Sequence, residues 1–332
     1  MNQRQIWRGG GIKSHNIFER IISLENLFLA WKEFRRGKRK KSDVQQFEFN
    51  LEDNLFQLHQ ELKDKIYKPD LYTAFYVQDP KLRHIHKASV RDRVLHQAIF
   101  RILYVIFDKG FIYDSDSSRL GKGTHIAVER LGIFLRKLSK NYCKPVFVLK
   151  CDISKFFDSI DQQILLNLIK KKIFDPKDIW LIEKVIKSFE KNPDKGLPLG
   201  NVTSQLFANI YLNELDQFIK HKLKIKHYLR YCDDFVVLSD TKENFIGITD
   251  KVSKFLADNL NLTLHPNKII IRKFSQGIDF LGYIARPHYR ILRTKTKRRL
   301  LRKINGKNLQ SYLGLLKHCQ GYKIQKQLNE LQ

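Results

Sequence analysis

Three aspartates carry the sharpest chemical signal in the sequence. Asp152 follows the apolar run 146–149, and Asp233-Asp234 stand between the apolar runs 228–232 and 235–238. A carboxylate at the end of a buried strand is costly unless it is paired or bound to a cation. If the two strands are neighbours in one sheet, the three carboxylates meet in a small volume and offer hard oxygen ligands to divalent cations. Two such ions about 3.5–4 Å apart suit in-line phosphoryl transfer, one activating the attacking hydroxyl and the other steadying a leaving pyrophosphate. An Asp-Asp pair is also an ordinary turn signal, so the weight rests on its combination with Asp152 and with the loop and helix between them.

The elements that must position these residues are legible as periodicities. Run 146–149 is short, apolar and rich in β-branched and aromatic residues, which predicts a buried strand. Runs 228–232 and 235–238 predict a hairpin with Asp233-Asp234 at its turn. Two short strands are expected between Tyr72 and Ile85 around Asp79-Pro80, a helix over 98–107, and strands over 268–274 and 280–285. Ser159 with Gln162 three positions later matches a capping box and predicts a helix opening there. The loop 193–200 precedes an amphipathic helix with Leu206, Phe207, Ile210, Tyr211, Leu215 and Phe218 on one face, and another helix is expected over 252–260. No Gly-rich βαβ turn is present, so the expected fold is α+β, an antiparallel sheet covered by helices on one face.

Composition selects the partner. The 332 residues hold 62 Lys+Arg against 34 Asp+Glu, a net charge of +28, while 42% hydrophobic residues suffice for a real core. Such a charge needs a polyanion. The longest apolar run, 102–107, is far short of the roughly 20 residues of a spanning helix, and 1–11 contains no apolar signal region. Nucleic acid is therefore favoured over a membrane. Cys143, Cys151, Cys232 and Cys319 have neither zinc spacing nor the density of a secreted framework, which predicts free thiols in a reducing cytosol. Arg35 to Lys41 contains six cations and reads as a solvated loop or a phosphate-contacting arm. Arg286 to Lys307 holds ten basic residues in 22 and no acidic one, with Leu292, Leu300, Leu301 and Ile304 interleaved.

The run Leu149-Lys150-Cys151-Asp152-Ile153-Ser154-Lys155-Phe156-Phe157-Asp158-Ser159-Ile160 resembles the first catalytic motif of reverse transcriptases, and Tyr231-Cys232-Asp233-Asp234 resembles their YxDD box. Phe280-Leu281-Gly282-Tyr283 resembles the primer-gripping strand. The segment from Gly196 to Gln205 is similar to the loop and helix that support template and incoming nucleotide. Gln205, after Ser204, stands where bacterial intron-type enzymes usually have proline. It resembles the reverse transcriptases of diversity-generating retroelements, as do 23–40 and Gly121-Lys122-Gly123-Thr124-His125.

The resemblance implies a right-hand polymerase, with an amino-terminal extension and fingers over 1–145, a palm with an antiparallel sheet over 146–284 (helical insertion about 161–195) and a short helical thumb over 285–332. It implies an RNA-directed DNA polymerase that uses dNTPs and two Mg²⁺ ions, with Mn²⁺ as a substitute, held by Asp152, Asp233, Asp234 and the Ile153 carbonyl. Phe157 would lie under the sugar and select deoxynucleotides, unless it is simply a core residue beside Phe156. Arg83, Lys87, Arg91 and Arg93 would meet the triphosphate. Lys268 would act near the leaving group, or be a plain strand lysine. Gln205 and Asn201 would touch nucleotide or template, with Ser204 capping the helix. Arg119 and Lys122 would line the template path, Gly282 would grip primer, and Lys297, Arg298 and Arg299 would follow an RNA/DNA heteroduplex by its phosphates.

On a length of 332 residues no large endonuclease or RNase H domain is expected. The partners implied are a retroelement template RNA and a small basic accessory protein, pentameric in the resembled subfamily, in a bacterial or phage-encoded cytoplasmic setting. A defence-associated or stand-alone reverse transcriptase with another RNA is the alternative, and a catalytically inactive RNA-binding scaffold the remote one.

Overall fold

The computed structural model describes residues 16–78, 82–306 and 308–329. The chain forms two compact units that interleave along the sequence, Met1–Phe111 with Lys155–Asn213, and Ile112–Ser154 with Glu214–Gln332.

The first unit is mostly helical. Helix Leu24–Phe34 opens on Ser23, whose hydroxyl accepts from the Asn26 N–H, and buries Leu27, Ala30, Trp31 and Phe34 at helical spacing. The helix expected over 98–107 is longer, Val90–Phe107, because Ser89 accepts from the Asp92 N–H and opens the helix more than two turns ahead of Ala98. Strands β1 (Thr73–Gln78) and β2 (Leu82–Lys87) form the expected antiparallel pair with Tyr76 opposite His84 and Thr73 opposite Lys87; the Asp79-Pro80 turn lies outside the described residues. The capping expectation needs correction. Helix Gln162–Lys170 is capped by Asp161, whose carboxylate accepts from the Ile164 N–H at 2.9 Å. Ser159 instead ends the short helix Phe156–Ser159. Gln162 cannot reach back, because its amide donates to the Phe189 and Gly196 carbonyls.

The second unit is built on a four-stranded antiparallel sheet of β3 (Phe147–Asp152), β4 (Tyr228–Tyr231), β5 (Asp234–Ser239) and β6 (Ile270–Lys273), in the order β4-β5-β3-β6. Helix Thr124–Leu138 packs Ala127, Val128, Leu131, Phe134 and Leu135 into one core with Val146, Val148, Leu229, Val236 and Leu238. The strand expected over 280–285 is two strands, β7 (Ile278–Phe280) and β8 (Tyr283–Arg286), joined by Leu281 and Gly282 at φ 49° and 90°. Positive φ at both central residues is the pattern of a two-residue hairpin turn. Strand β9 (Tyr289–Leu292) completes this three-stranded sheet. The basic block is accordingly divided: Arg286 and Arg290 belong to strands, and Thr294–Lys303 is helical. Lys307 lies outside the described residues. All four cysteines are free.

Candidate active site

Sheet register brings the carboxylates together. Asp152 on β3 is directly opposite Asp234 on β5, and the Ile153 N–H donates to the Asp233 carbonyl at 3.3 Å. The His265 N–H donates to the Asp152 carbonyl and the Ser154 N–H to that of Thr263, bracketing Ile153 and leaving its carbonyl out of both bonds. Burial pushes the Asp233 and Asp234 carboxyls above the usual range, and the negative charge of Asp152 adds to the rise in each.

The side chains are not drawn into one ligand set. Lys268 Nζ lies 2.5 Å from Asp152 Oδ1, and Lys150 Nζ lies 3.6 Å from Asp234 Oδ1. Among the described residues no group of three or more His, Cys, Asp or Glu side chains is gathered as metal ligands. Asp152 and Asp234 each face an ammonium group, while the register and the mutual charge effect on Asp233 and Asp234 keep the three aspartates neighbours. The donor set fits a hard divalent cation: it is all oxygen and partly desolvated.

Beneath the turn lies an ion pair that no local sequence pattern signals. Arg230 and Asp216 are both fully buried. The guanidinium contacts both carboxylate oxygens, at 2.8 and 2.7 Å, and also donates to Ser115 Oγ and to the Cys232 carbonyl at 3.1 Å. The Tyr228 hydroxyl donates to the same aspartate at 2.7 Å. Cys232 has φ 58°, a left-handed conformation that costs a non-glycine residue about 1–2 kcal/mol. Arg230 therefore fixes the strained residue that sets the aim of Asp233. Lys150 adds a further link, reaching the Asp279 carbonyl at 3.5 Å and lying 5.9 Å from the Phe280 ring centre.

The first unit contains a cavity of about 400 Å³ bordered by Lys38, Lys41, Lys87 and Arg93, with Gly200 and Asn201 on its wall. Lys87 and Arg93 share one counterion, Asp43, at 2.7 and 2.6 Å. Burial opposes ionisation of Asp43, but hydrogen bonds from those two cations hold its carboxyl below the usual range. Burial and the neighbouring Arg93 charge push the Lys38 ammonium down. The cavity carries more positive charge than its walls neutralise. Of the four cations expected at a triphosphate, Lys87 and Arg93 line it. Arg83 is exposed on the same face of β2 as Lys87. Arg91 is turned elsewhere and braces Glu61, Asp70 and the Lys68 carbonyl. Lys38 and Lys41 of the 35–41 loop border this cavity, while Arg36, Arg39 and Lys40 are exposed.

Phe156 is buried, while Phe157 is half-buried with its ring edge-on to Phe156 at 5.3 Å. Asn201 is buried and donates to the Tyr72 hydroxyl at 3.4 Å; Gln205 is exposed. Ser204 is buried inside helix Val202–Gln217 and is not its cap. In the second unit, Arg119 donates to the Ile112 and Ser115 carbonyls, and Lys122 to that of Tyr113, so both brace their own loop. Gly282 accepts from the Arg293 N–H. Lys297 and Arg298 are exposed and Arg299 half-buried, on the helix that Leu300 anchors.

Residues 66–285 match the family described as reverse transcriptase (RNA-dependent DNA polymerase). Protein YkfC of Escherichia coli is 25% identical over 266 residues, 68% of this chain and 69% of that protein. The group II intron-encoded protein LtrA of Lactococcus lactis is 25% identical over 307 residues; the match covers 71% of this chain but spans only half the length of LtrA. An apo telomerase from Candida tropicalis, truncated of its carboxy-terminal domain, shares the fold, with TM-score 0.50, 14% identity, and 70% and 58% of the two chains covered. The α+β chain thus has a right-hand polymerase fold. Among the described residues no helix is long and apolar enough to cross a membrane.

Proposed function

The chain belongs to the reverse transcriptase family, the RNA-dependent DNA polymerases, and on that premise we propose that it copies a retroelement template RNA into cDNA, with Asp152, Asp233 and Asp234 as the carboxylates that carry nucleotidyl transfer. The single observation behind the site assignment is the register that sets Asp152 opposite Asp234 with Asp233 in the adjoining turn. Two Mg²⁺ ions on these carboxylates and the Ile153 carbonyl, or Mn²⁺ in their place, would supply charge stabilisation to the transferring phosphoryl group.

The protein's own groups do the rest. Arg230 holds the turn in place from below. Lys268, now on Asp152, is the proton donor nearest the carboxylates and takes the leaving-group role. In the first unit Lys87 and Arg93, with Lys38 and Lys41 beside them, hold the polyphosphate of a dNTP, and exposed Arg83 adds to that charge. Arg91 instead braces Glu61, Asp70 and the Lys68 carbonyl. Gln205 and Asn201 contact nucleotide or template, and Phe157 gates the sugar. Fingers over 1–145, palm over 146–284 and thumb over 285–332 remain the functional division, in which Arg119 and Lys122 shape the template loop, Gly282 the primer grip, and Lys297, Arg298 and Arg299 the heteroduplex track.

Gln205 after Ser204 favours a diversity-generating retroelement and its small basic accessory protein. The similarity to LtrA favours the second reading, an intron-type enzyme with an intron RNA. Sequencing the RNA that co-purifies with the protein separates them, a template-repeat transcript supporting the first and an intron the second. Primer extension on RNA with Mg²⁺ tests the enzyme itself. Asp233→Ala is expected to remove synthesis and keep RNA binding, and unchanged synthesis would refute the assignment. Phe157→Ala is expected to admit ribonucleotides; if incorporation of ribonucleotides does not rise, Phe157 is a packing residue.

A further inference from the structure

We propose that the second unit carries a non-catalytic site for single-stranded RNA in the cavity between helix Thr124–Leu138, the β8–β9 turn and segment 317–320. The cavity measures about 420 Å³, and its border includes Tyr142, Arg286, His288, Arg290 and Lys317, with Glu129 its one acidic residue. This is within the size range of small-ligand sites. None of the three strong cations is in an ion pair among the described residues: Arg290 donates to the His318 carbonyl at 3.2 Å and Arg286 to that of Ser275 at 3.4 Å, and Lys317 is exposed. Carbonyl contacts orient the guanidinium groups and leave their charge uncompensated.

Rings stand beside these charges. Tyr142 lies 4.4 Å from His288 and 6.1 Å from Phe274. The backbone that presents them is strained: Lys140, Asn141 and Tyr142 have φ 48°, 54° and 72°, and His288 has φ 69°. The Tyr142 N–H donates to Ser139 Oγ at 2.9 Å and the Asn141 N–H to the Arg136 carbonyl at 3.0 Å, which hold the turn in this state. Strain of this kind concentrates where a side chain must be held for a ligand. Aromatic faces next to unpaired cations are the arrangement that binds single-stranded nucleic acid, bases stacking and phosphates meeting guanidinium groups. An acidic peptide would use the cations and leave the rings idle.

The site is separate from the catalytic carboxylates. Phe274 borders it and follows Lys273, which pairs with Phe147 at the opposite end of β3 from Asp152. Five residues of extended strand put about 17 Å between those ends. The site therefore fits an upstream or flanking stretch of RNA, held while the polymerase works elsewhere. The choice of RNA over DNA rests on the proposed template; the charge and ring geometry do not.

The test is photo-cross-linking and affinity measurement of a short thiouridine-containing single-stranded RNA on the full chain, with inorganic tripolyphosphate and a short acidic peptide as competitors. The cross-link is expected on peptides holding Tyr142 or His288. Tyr142→Ala and Arg290→Ala are each expected to weaken RNA binding about tenfold, the size of one lost base stack for Tyr142 and of about one charge-assisted phosphate contact for Arg290, with Tyr142→Phe restoring affinity. Extension of a short pre-annealed primer–template is expected to be unchanged in Lys317→Ala. Cross-links confined to other peptides, an unaltered affinity in Tyr142→Ala, or equal displacement by the acidic peptide would overturn the proposal. A cross-link that persists in a protein unable to polymerise would leave this site standing while the polymerase reading fell.

Discussion

At the Cys232-Asp233 turn the decisive charges are sealed from solvent, with Arg230 and Asp216 both fully buried, whereas at the cationic cavity of the first unit Lys87 and Asp43 are each about a third exposed and Arg93 a sixth. The two arrangements solve different problems. A buried pair with both carboxylate oxygens engaged allows one geometry and is barely screened by salt, which suits a turn whose φ at Cys232 must be held. A partly exposed carboxylate shared by two cations binds weakly, so on the proposed reading an incoming polyphosphate could replace it. Burial sets aim in one region, and incomplete neutralisation sets affinity in the other.

The strongest way to break this contrast is Asp216→Asn. Removing one charge leaves Arg230 buried and unpaired, which costs about 3–5 kcal/mol. Thermal or denaturant unfolding of the whole chain should show a loss of that order that changes little between low and high salt. Synthesis should fall as well, because Cys232 loses its clamp. A loss below about 1 kcal/mol would mean that Arg230 is re-partnered and that the turn does not depend on the pair.

How much of this was legible follows from the range of each signal. Asp152, Asp233 and Asp234 were readable because a strand that ends in a carboxylate and a hairpin turn are local patterns, with periods of two residues and turns of two. The partnership of Arg230 with Asp216 joins residues fourteen apart across a helix end and a strand, and Arg230 is one of 62 cations in a residue class that is seldom fully buried. Charge counts alone treated 286–307 as one block, although Pro287 and His288, the latter at φ 69°, turn the chain between two strands and send Arg286 and Arg290 away from the helix. Asp161 displaced Ser159 as a cap because a stronger acceptor stood two positions nearer the apolar face. Lys150 and Lys268 were visible as charges, but their grip on Asp234 and Asp152 depends on sheet register.

A smaller effect sharpens the other side of the comparison. Arg93→Ala or Lys87→Ala removes one of two cations sharing Asp43, and the remaining one then pairs with it more completely. The KM for dNTP is expected to rise about tenfold, the cost of roughly one charge-assisted hydrogen bond to phosphate, with kcat nearly unchanged. Arg93→Lys should recover only part, since an ammonium lacks the two-pronged donor geometry. Steady-state kinetics on a fixed primer–template checks this, and a fall in kcat at constant KM would assign these residues to the chemical step.

The smallest expected change has the opposite sign. Asp43→Asn keeps the size and part of the hydrogen bonding of the side chain but releases Lys87 and Arg93 from their shared counterion. If the cavity is under-neutralised and holds polyphosphate, the variant should bind dNTP more tightly, by up to about fivefold, because an exposed ion pair of this kind is worth about 0.2–1 kcal/mol. The gain should shrink as salt rises, because bulk anions screen the freed cations. Stability should fall slightly, by no more than the value of the lost pairs, in contrast to the several kcal/mol expected for Asp216→Asn. The two aspartates differ in setting: Asp216 is fully buried with Arg230, while Asp43 is partly exposed and, on the proposed reading, competes with the nucleotide for Lys87 and Arg93. Weaker nucleotide binding by Asp43→Asn would show that Asp43 orients Lys87 and Arg93 instead of competing for them, and the distinction between a sealed and an exchangeable ion pair would then fail at this cavity.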